Sequence, residues 1–458
     1  MAWGKLNYKL MKKDYGIYSV ILCALIILLL VSISFIPPFK NEYFTYKKSD
    51  ILRDVRYKVK PVAKFKVPQA VNKRTSFLKS KTKKSIKIPD GIIEFEDFSS
   101  NGQYLKSFFQ KIDSINVIGH PIRIGFFGDS FTECEILTAD LRQQLQQIYG
   151  GTGGGFVPLR LESAGPSPLA DIHQSNFTGY SIISKKGKIE YQGISGRYFL
   201  GRNNASFSMT CNSYRPYTKK AKVAHLYFTP LNSVNVIAYK STKPDTTHYE
   251  ASPSLKMMEL KGDVASVTYS FIHTDSMIVY GVGFDSEKGI NLDNLSIRGN
   301  SGISLNNIST RKLKEFNALR PYDLIILEYG LNAFSAEGNF DWYKKRMIAV
   351  VNRMKSAFPN AQIILMGMSD KGEMVDGEVV TCARLPEFIE MQRQIARQTG
   401  ICFWNTFQAM GGEGTMARWA VGEHSLAAKD FTHIGIGAGR FIAKKMVTSF
   451  LLEHEKYK

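Results

Sequence analysis

Two stretches of the chain alternate apolar strand patterns with amphipathic helix patterns. In the first, the strand pattern Ile122–Phe127 precedes "TADLRQQLQQIYG", in which Leu141, Leu145 and Ile148 recur at helical spacing. In the second, "YDLIILEYG", "AQIILMGMS" and "ICFWNT" are strand patterns, and helical patterns separate and follow them. Apolar strands that alternate with amphipathic helices are typical of a parallel sheet covered by helices on both faces. The sequence therefore predicts an α/β fold.

A segment of different character, 164–290, separates these two stretches. "KVAHLYFTP", "SVNVIAYKS", "VASVTYSFIH" and "SMIVYGVGF" are short, rich in β-branched and aromatic residues, and separated by polar turns. This pattern is typical of an all-β sandwich or jelly roll. We therefore predict one α/β domain in two parts, 91–163 and 291–458, interrupted by an inserted β domain.

The N-terminal part contains a long uncharged segment at 17–36. Its twenty residues, "IYSVILCALIILLLVSISFI", would form a helix of about 30 Å, enough for a bilayer core. A cleavable signal peptide would have a shorter apolar region and a small-residue cleavage site. We therefore predict an uncleaved single-pass transmembrane anchor preceded by a cytoplasmic tail, 1–16. Lysines flank both ends of the segment, so the positive-inside rule does not decide its orientation.

Positive charge is concentrated in 37–90. The whole chain carries a formal charge of +20, and Lys47–Lys87 alone contains fifteen Lys or Arg residues against the two acids Asp50 and Asp54. The rest of the chain is closer to balance, which argues against nucleic acid as a partner. Because 37–90 lacks sustained periodicity, we predict an extended basic linker. A more specific interpretation is that this linker contacts anionic lipid head groups or an anionic wall polymer, and an extended linker could do so.

Ser130 lies in "IRIGFFGDSFTE", directly after the first strand pattern and before a helix pattern. A serine at the start of a helix can cap its free N–H groups. It can also be a nucleophile whose backbone N–H faces a developing oxyanion. The stretch by itself leaves both interpretations open.

Four distant residues could complete a serine-dependent site. Asp430 and His433 stand three apart in "AKDFTHIG", so on a turn they would face the same side, and the carboxylate could orient the imidazole. Asn332 in "EYGLNAFS" follows a strand, and Gly299 in "SIRGNSG" lies in a loop. Either could donate a hydrogen bond to an oxyanion, but both are also common turn residues. Taken singly, none of these features decides between catalysis and structure.

Taken together and in this order, the motifs resemble the SGNH hydrolase superfamily. The matching features are strand-G-D-S, a glycine loop, strand-G-x-N and a terminal D-x-x-H, spread over 95–161 and 291–452. "GDSFTECEILTADLRQQLQQIYGGTGGGFVPL", the β insertion after it, and "LAAKDFTHIG" resemble the bacterial peptidoglycan O-acetylesterases more narrowly. In that family a domain similar to a carbohydrate-binding module interrupts the SGNH fold. Phe131 stands where the family often has histidine.

The resemblance implies a three-layer α/β/α architecture and a role for each of the five candidate residues. Ser130 would be the nucleophile, His433 the general base and then the acid, and Asp430 the residue that orients His433. The N–H groups of Ser130 and Gly299 and the side-chain amide of Asn332 would form the oxyanion hole. The implied substrate is an acetylated glycan, peptidoglycan first, and no cofactor or metal is implied.

A wall substrate would place the catalytic domain on the periplasmic or extracellular side of the cytoplasmic membrane, with the N-terminus inside. Two alternatives stay open. The same triad could serve an O-acetyltransferase that passes the acetyl group to a sugar hydroxyl of a cell-surface glycan. The chain could also be a membrane-tethered glycan-binding protein whose hydrolase fold is inactive.

Overall fold

The protein is described here by a computed structural model. It covers 15–34, 39–40, 45–46 and 88–458, with gaps at 162–166, 185, 241–242, 273–275, 336 and 422–424. Most of the predicted tail and basic linker therefore lies outside the described residues. The chain divides into two compact units, Met1–Pro61 with Met374–Val379 and Val62–Glu373 with Val380–Lys458.

The helices and strands are numbered in chain order. The described helices are α1 (Tyr15–Ser34), α2 (Lys106–Asp113), α3 (Thr138–Tyr149), α4 (Thr310–Leu319), α5 (Asp341–Ala357), α6 (Leu385–Thr399), α7 (Thr406–Met410), α8 (Thr415–Trp419) and α9 (Ile436–Glu455). The strands are β1 (Phe39–Lys40), β2 (Thr45–Tyr46), β3 (Glu96–Asp97), β4 (Ile122–Phe127), β5 (Gly155–Val157), β6 (Ala170–Ser181), β7 (Arg197–Cys211), β8 (Ala221–Pro230), β9 (Val234–Tyr239), β10 (Pro244–Tyr249), β11 (Lys256–Val264), β12 (Ser266–Ile272), β13 (Met277–Asp285), β14 (Ile290–Asn294), β15 (Leu324–Glu328), β16 (Gln362–Met366), β17 (Gly372–Val375), β18 (Glu378–Thr381) and β19 (Cys402–Trp404).

The first unit contains α1 and the short antiparallel pair of β1 and β2. Helix α1 has the sequence "YGIYSVILCALIILLLVSIS". In the described part of the chain, no helix meets the length and apolarity needed to cross a membrane. The transmembrane anchor at 17–36 stays a prediction.

A six-stranded sheet in the order β14-β4-β15-β16-β19-β3 forms the centre of the α/β part. Neighbouring strands from β14 to β19 run parallel, and β3 pairs antiparallel with β19. Every residue of β4 and of β15 is buried, as expected for strands covered on both faces. Helix α3 packs on α9, while α5 packs on α4 and α6. The predicted α/β architecture is confirmed.

The inserted β domain is a nine-stranded antiparallel sheet in the order β10-β9-β12-β7-β13-β8-β11, with β5 paired to β13 and β6 to β7. Strands β7 and β13 are long enough to pair with three neighbours each. The inward side chains of the β domain enclose one apolar core that includes Phe207, Phe228, Tyr269 and Val279. The all-β prediction is confirmed.

Strand pairing moves both limits of this insertion relative to the predicted 164–290. The first limit lies earlier, because β5 belongs to the β sheet. The second also lies earlier, because Ile290 already begins β14 of the parallel sheet. The glycines of "GTGGGFVPL" permit this close pairing. A Cβ on Gly153 would lie 2.2 Å from the Phe284 carbonyl oxygen, and one on Gly155 would lie 2.3 Å from that of Leu292.

A buried ion network joins the two folded parts of the second unit. The fully buried Arg320, after α4, donates to both carboxylate oxygens of Asp285 at 2.6 and 2.8 Å and to both of Asp293 at 2.6 Å. Burial by itself would raise the pKa of Asp285, but Arg320 and Arg123 hold it well below its usual range. Asp285 ends β13 and Asp293 lies in β14, so the β domain is tied to the parallel sheet through charge.

Candidate active site

Three adjacent strands of the parallel sheet end at the same edge. Residues that follow the carboxyl ends of β4, β14 and β15 are therefore brought together. The pairing of β14 with β4 continues beyond the strands. The Leu295 N–H donates to the Phe126 carbonyl at 2.7 Å, and the Ile297 N–H donates to the Gly128 carbonyl at 2.9 Å. This extension carries the loop with Gly299 alongside the turn with Ser130.

Ser130, His433 and Asp430 form a chain of hydrogen bonds at this edge. Ser130 Oγ lies 3.1 Å from His433 Nε2, and His433 Nδ1 lies 2.6 Å from Asp430 Oδ2. With Nδ1 protonated, His433 donates to Asp430 and can accept the serine proton at Nε2. The structure thus brings together the three residues predicted to be catalytic, although Asp430 and His433 lie 300 and 303 positions after Ser130.

The loop before α9 fixes the geometry of Asp430 and His433. The second carboxylate oxygen of Asp430 accepts the N–H groups of Thr432 and His433, each at 3.0 Å. Burial by itself would raise the pKa of Asp430, but these hydrogen bonds and that of the His433 ring lower it overall. Asp430 is therefore held as a carboxylate facing the imidazole. The side chains remain open to solvent, with 50% of Asp430 and 41% of His433 exposed.

Ser130 does not cap a helix, so that interpretation is wrong. The turn at Ser130 closes when Glu133 N–H donates to the Asp129 carbonyl at 3.0 Å. Cys134 and Glu135 then adopt the left-handed region at φ of 59° and 66°, which interrupts the path toward the helix. Helix α3 begins only at Thr138, without a side-chain cap. The turn therefore presents individual N–H groups, and not the N-terminus of a helix, beside Ser130.

Two backbone N–H groups, one in the turn with Ser130 and one in the adjacent Gly299 loop, could donate to an oxyanion. The N–H groups of Ser130 and of Gly299 have no acceptor among the described residues. Gly302, the other glycine of the same loop, donates its N–H to Asn300 Oδ1 at 2.9 Å. Of these two glycines, Gly299 is therefore the one whose N–H has no acceptor in the described part of the chain.

The Asn332 amide is held beside these groups by two acceptors. Its Nδ2 donates to Asp129 Oδ2 at 3.1 Å and to the Asn300 carbonyl at 3.2 Å. An oxyanion at this position must draw one of these two hydrogens toward itself. The amide is positioned in advance, but one of its present hydrogen bonds has to be exchanged.

A pair of buried carboxyls, Asp129 and Glu328, adjoins Ser130 in the turn 128–133, which we call the nucleophile turn after the predicted role of Ser130. Asp129 is fully buried and Glu328 is 3% exposed. Burial raises the pKa of Asp129, partly offset by hydrogen bonds from Phe131 N–H and Asn332. Burial and the nearby Asp129 together raise the pKa of Glu328 well above its usual range. We did not predict this pair, although a glutamate inside the apolar strand "LIILE" is an available signal.

Phe131 lies in the core rather than at the surface of the site. Its side chain is 1% exposed, and its N–H donates to Asp129 Oδ1 at 2.9 Å. The position where the family often has histidine therefore contributes packing here.

Comparison with solved structures reveals the fold that this chain shares. A structure of a peptidoglycan O-acetylesterase matches 78% of this chain and 98% of its own, with a TM-score of 0.66 and 20% sequence identity. A family two carbohydrate esterase from Cellvibrio japonicus and an acetyl xylan esterase match at TM-scores of 0.26 and 0.28, with 11% and 18% identity. They cover 63% and 35% of this chain and 100% and 81% of their own. No protein-family model and no curated protein matches the sequence.

The first of these matches shows that the chain shares the fold of that structure. The match covers 78% of this chain, which is more residues than the α/β segments contain. The matched region therefore extends into the β domain. The similarity at 20% identity establishes architecture, and the chemistry has to be argued from the site itself.

Proposed function

We propose that the protein is a serine esterase that removes O-acetyl groups from a cell-wall glycan, with peptidoglycan as the first candidate. The observation that carries this proposal is the hydrogen-bonded chain Ser130–His433–Asp430, with contacts of 3.1 and 2.6 Å, beside two N–H groups that have no acceptor among the residues described. A nucleophile, a base with its orienting carboxylate and an oxyanion site are the parts that acyl transfer requires.

The reaction proceeds through an acetyl-enzyme. Ser130 Oγ attacks the acetyl carbonyl while His433 Nε2 takes its proton, and the tetrahedral oxyanion is held by the N–H groups of Ser130 and Gly299 and by Asn332. Removing one such donor costs about 3–4 kcal/mol of transition-state stabilisation in a measured protease. The glycan oxygen leaves with the proton from His433. Water, activated by the same imidazole, then releases acetate.

The openness of the site supports hydrolysis over transfer to a second sugar. About half of the Asp430 side chain and two-fifths of His433 are exposed, at 50% and 41%. An acetyl group on Ser130 would therefore be within reach of bulk water. A transferase would need a site that excludes water until its acceptor is bound.

Peptidoglycan as the substrate is supported by similarity to a structure of a peptidoglycan O-acetylesterase, which includes the β domain in the shared region. Another O-acetylated wall or surface polysaccharide would satisfy the same chemistry. Parallel assays on O-acetylated peptidoglycan and acetylated xylan would rank the two substrates by kcat/KM.

Acetate release from O-acetylated peptidoglycan by the full-length chain tests the proposed activity. We expect release by the native protein and none above background by Ser130→Ala. Acetate that moves to an added glycan acceptor would identify a transferase. Absence of both reactions, with retained binding to the glycan, would identify a binding protein.

We also propose that 17–36 anchors the protein in the cytoplasmic membrane with the catalytic domain on the periplasmic or extracellular side. The support is the uncharged twenty-residue segment and the location of the proposed substrate. The native chain should stay with membranes after carbonate extraction, whereas Leu28→Arg should release part of it. A fusion after Lys458 to a reporter that works only in the cytoplasm should be silent.

A further inference from the structure

The inserted β domain contacts the loop that carries Gly299. Gly196 lies against Ile297, because a Cβ on Gly196 would come within 2.6 Å of Ile297 Cδ1. Ile183 Cδ1 lies 3.8 Å from the place of a Cβ on Gly299 itself. The edge of the β domain is thus part of the surroundings of the oxyanion site.

Arg197, the first residue of β7, makes the polar contact across this junction. Its side chain is 2% exposed. Its guanidinium donates through Nη1 and Nη2 to the Ser296 carbonyl at 3.2 and 3.1 Å, and through Nη2 to Glu133 Oε1 at 3.1 Å. One side chain of the β domain therefore binds two segments of the α/β domain at once.

These two segments carry the two backbone donors of the proposed oxyanion hole. Glu133 is three residues after Ser130 and closes its turn, and Ser296 is three residues before Gly299. Glu133 also accepts from Arg298 Nε at 3.2 Å, on the same side of the turn. Arg197 and Glu133 thus form a bridge between the nucleophile turn and the Gly299 loop.

We infer that Arg197 is a positioning residue for catalysis and that the β domain thereby sets the spacing of the Ser130 and Gly299 N–H groups. This inference rests on the proposed serine-esterase mechanism. The two donors lie in segments that follow different strands, β4 and β14, so no single element fixes their separation. Because oxyanion stabilisation depends on donors held in place before the reaction, a small displacement of the Gly299 loop reduces kcat.

Arg142 offers a matched control. It is 1% exposed, donates to Glu135 at 2.6 and 3.2 Å, and donates to a backbone carbonyl, that of Leu292, at 2.9 Å. The chemistry is the same as for Arg197, but Leu292 lies within β14 and not in the Gly299 loop. Loss of stability alone would affect the two arginine variants alike.

The experiment compares Arg197→Lys with Arg142→Lys in the full-length chain. One readout is hydrolysis of p-nitrophenyl acetate. The other is the rate at which Ser130 reacts with a fluorophosphonate, whose adduct places its polar phosphoryl oxygen in the oxyanion hole. For Arg197→Lys we expect kcat and the labelling rate to fall about 10-fold with KM unchanged, and for Arg142→Lys less than about 3-fold change in either. Equal effects of both variants, or no effect of Arg197→Lys, would overturn the inference.

A second pair of variants tests the inference if Arg197→Lys does not fold. Glu133→Gln weakens the same bridge from its other end, and Glu135→Gln is its control. We expect slower labelling only in Glu133→Gln, and labelling at the native rate would contradict the bridge. If the native protein reacts with the fluorophosphonate but releases no acetate from glycans, the proposed substrate is wrong and the inference about Arg197 is unaffected. Absence of labelling in the native protein would overturn both.

Discussion

At the residue scale, the proposed mechanism gives Ser130 and Asp430 different roles: Ser130 reacts with the substrate, and Asp430 orients His433. Ser130→Ala removes the nucleophile, so acetate release should fall to background. Asp430→Asn keeps the shape but can present an N–H to His433 Nδ1 and favour the wrong tautomer. We expect kcat to fall by about 10²–10⁴-fold, the upper end being the loss seen for a fully buried aspartate in a protease. Steady-state kinetics on an acetylated glycan measure both effects.

Asp263→Asn is the control for Asp430→Asn. Asp263 is also an aspartate paired with cationic groups, and its side chain is 53% exposed, against 50% for Asp430. It lies in the β domain, in β11. Its replacement should leave kcat within about 2-fold, since exposed pairs of this kind contribute little. An equal loss in the two variants would contradict the orienting role of Asp430.

The buried carboxyl pair predicts how stability depends on pH. The pKa values of Asp129 and Glu328 are raised in the folded state, so folded protein retains protons that the unfolded chain releases above about pH 4. The free energy of unfolding should therefore fall as pH rises toward neutrality, by at most about 1.4 kcal/mol per pH unit for each retained proton.

Urea unfolding of native protein and Glu328→Gln between about pH 5 and about pH 7.5 measures this effect. The variant removes one of the two titrating groups, so its unfolding free energy should decline less steeply with pH. Identical slopes would show that Glu328 does not retain a proton in the folded state.

At the element scale, the turn between β4 and α3 depends on the absence of a side chain at Gly128. A Cβ there would lie 2.3 Å from Thr132 Oγ1, 2.8 Å from Glu328 Oε2 and 2.9 Å from Ser296 Oγ. Thr132 and Ser296 are themselves joined by a 2.7 Å hydrogen bond between their hydroxyls. The glycine of G-D-S thus allows the nucleophile turn, β14 and β15 to converge beneath Ser130.

Gly128→Ala should therefore destabilise the protein and disturb the site together. Overpacking of this kind costs about 1–3 kcal/mol of unfolding free energy, and displacement of Thr132 should also lower kcat. Gly154→Ala is the control, because the nearest atom to its Cβ would be the flexible Leu169 Cδ2 at 3.3 Å. Urea unfolding and ester hydrolysis measure both effects. Equal stability of the two variants would contradict the crowding at Gly128.

At the scale of the whole molecule, the β domain is not an independent attachment. The Arg320 network joins the end of β13 to β14, and Arg197 joins β7 to the active-site loops. Both arginines are buried together with their acidic partners. Separating the two folded parts would leave these charges without partners. We therefore expect the α/β part and the β domain to unfold as one cooperative unit.

Arg320→Met tests this coupling. Removing one partner of a buried ion network costs about 3–5 kcal/mol, and here Asp285 and Asp293 would both lose their main counter-charge. We expect a single calorimetric transition in the native protein and a large fall of its midpoint in the variant. Arg311→Met, at an arginine that is 62% exposed in an i,i+4 pair with Glu315, should leave the midpoint almost unchanged. Two separate transitions in the native protein would contradict the coupling.

Local patterns in the sequence specified the elements because burial and periodicity are properties of short segments. The apolar runs became β4, β15, β16 and β19, and the helical pattern before Gly400 ended at that glycine in the left-handed conformation. Phe131 shows the limit of this reasoning. Its place in the motif marks a departure from the family pattern, but only packing reveals that the ring is buried.

The sequence alone determined the α/β class and the β insertion, because hydrophobic periodicity is a local property. The order of its motifs, read as a family resemblance, identified the residues that meet at the site. Tertiary structure alone decided what surrounds them. The choice of Gly299 over Gly302 depends on which amide is already bonded, and the Arg197 and Asp129–Glu328 contacts join segments far apart in the chain. Such contacts arise from the way the sheet and the β domain converge, and no short stretch of sequence encodes that convergence.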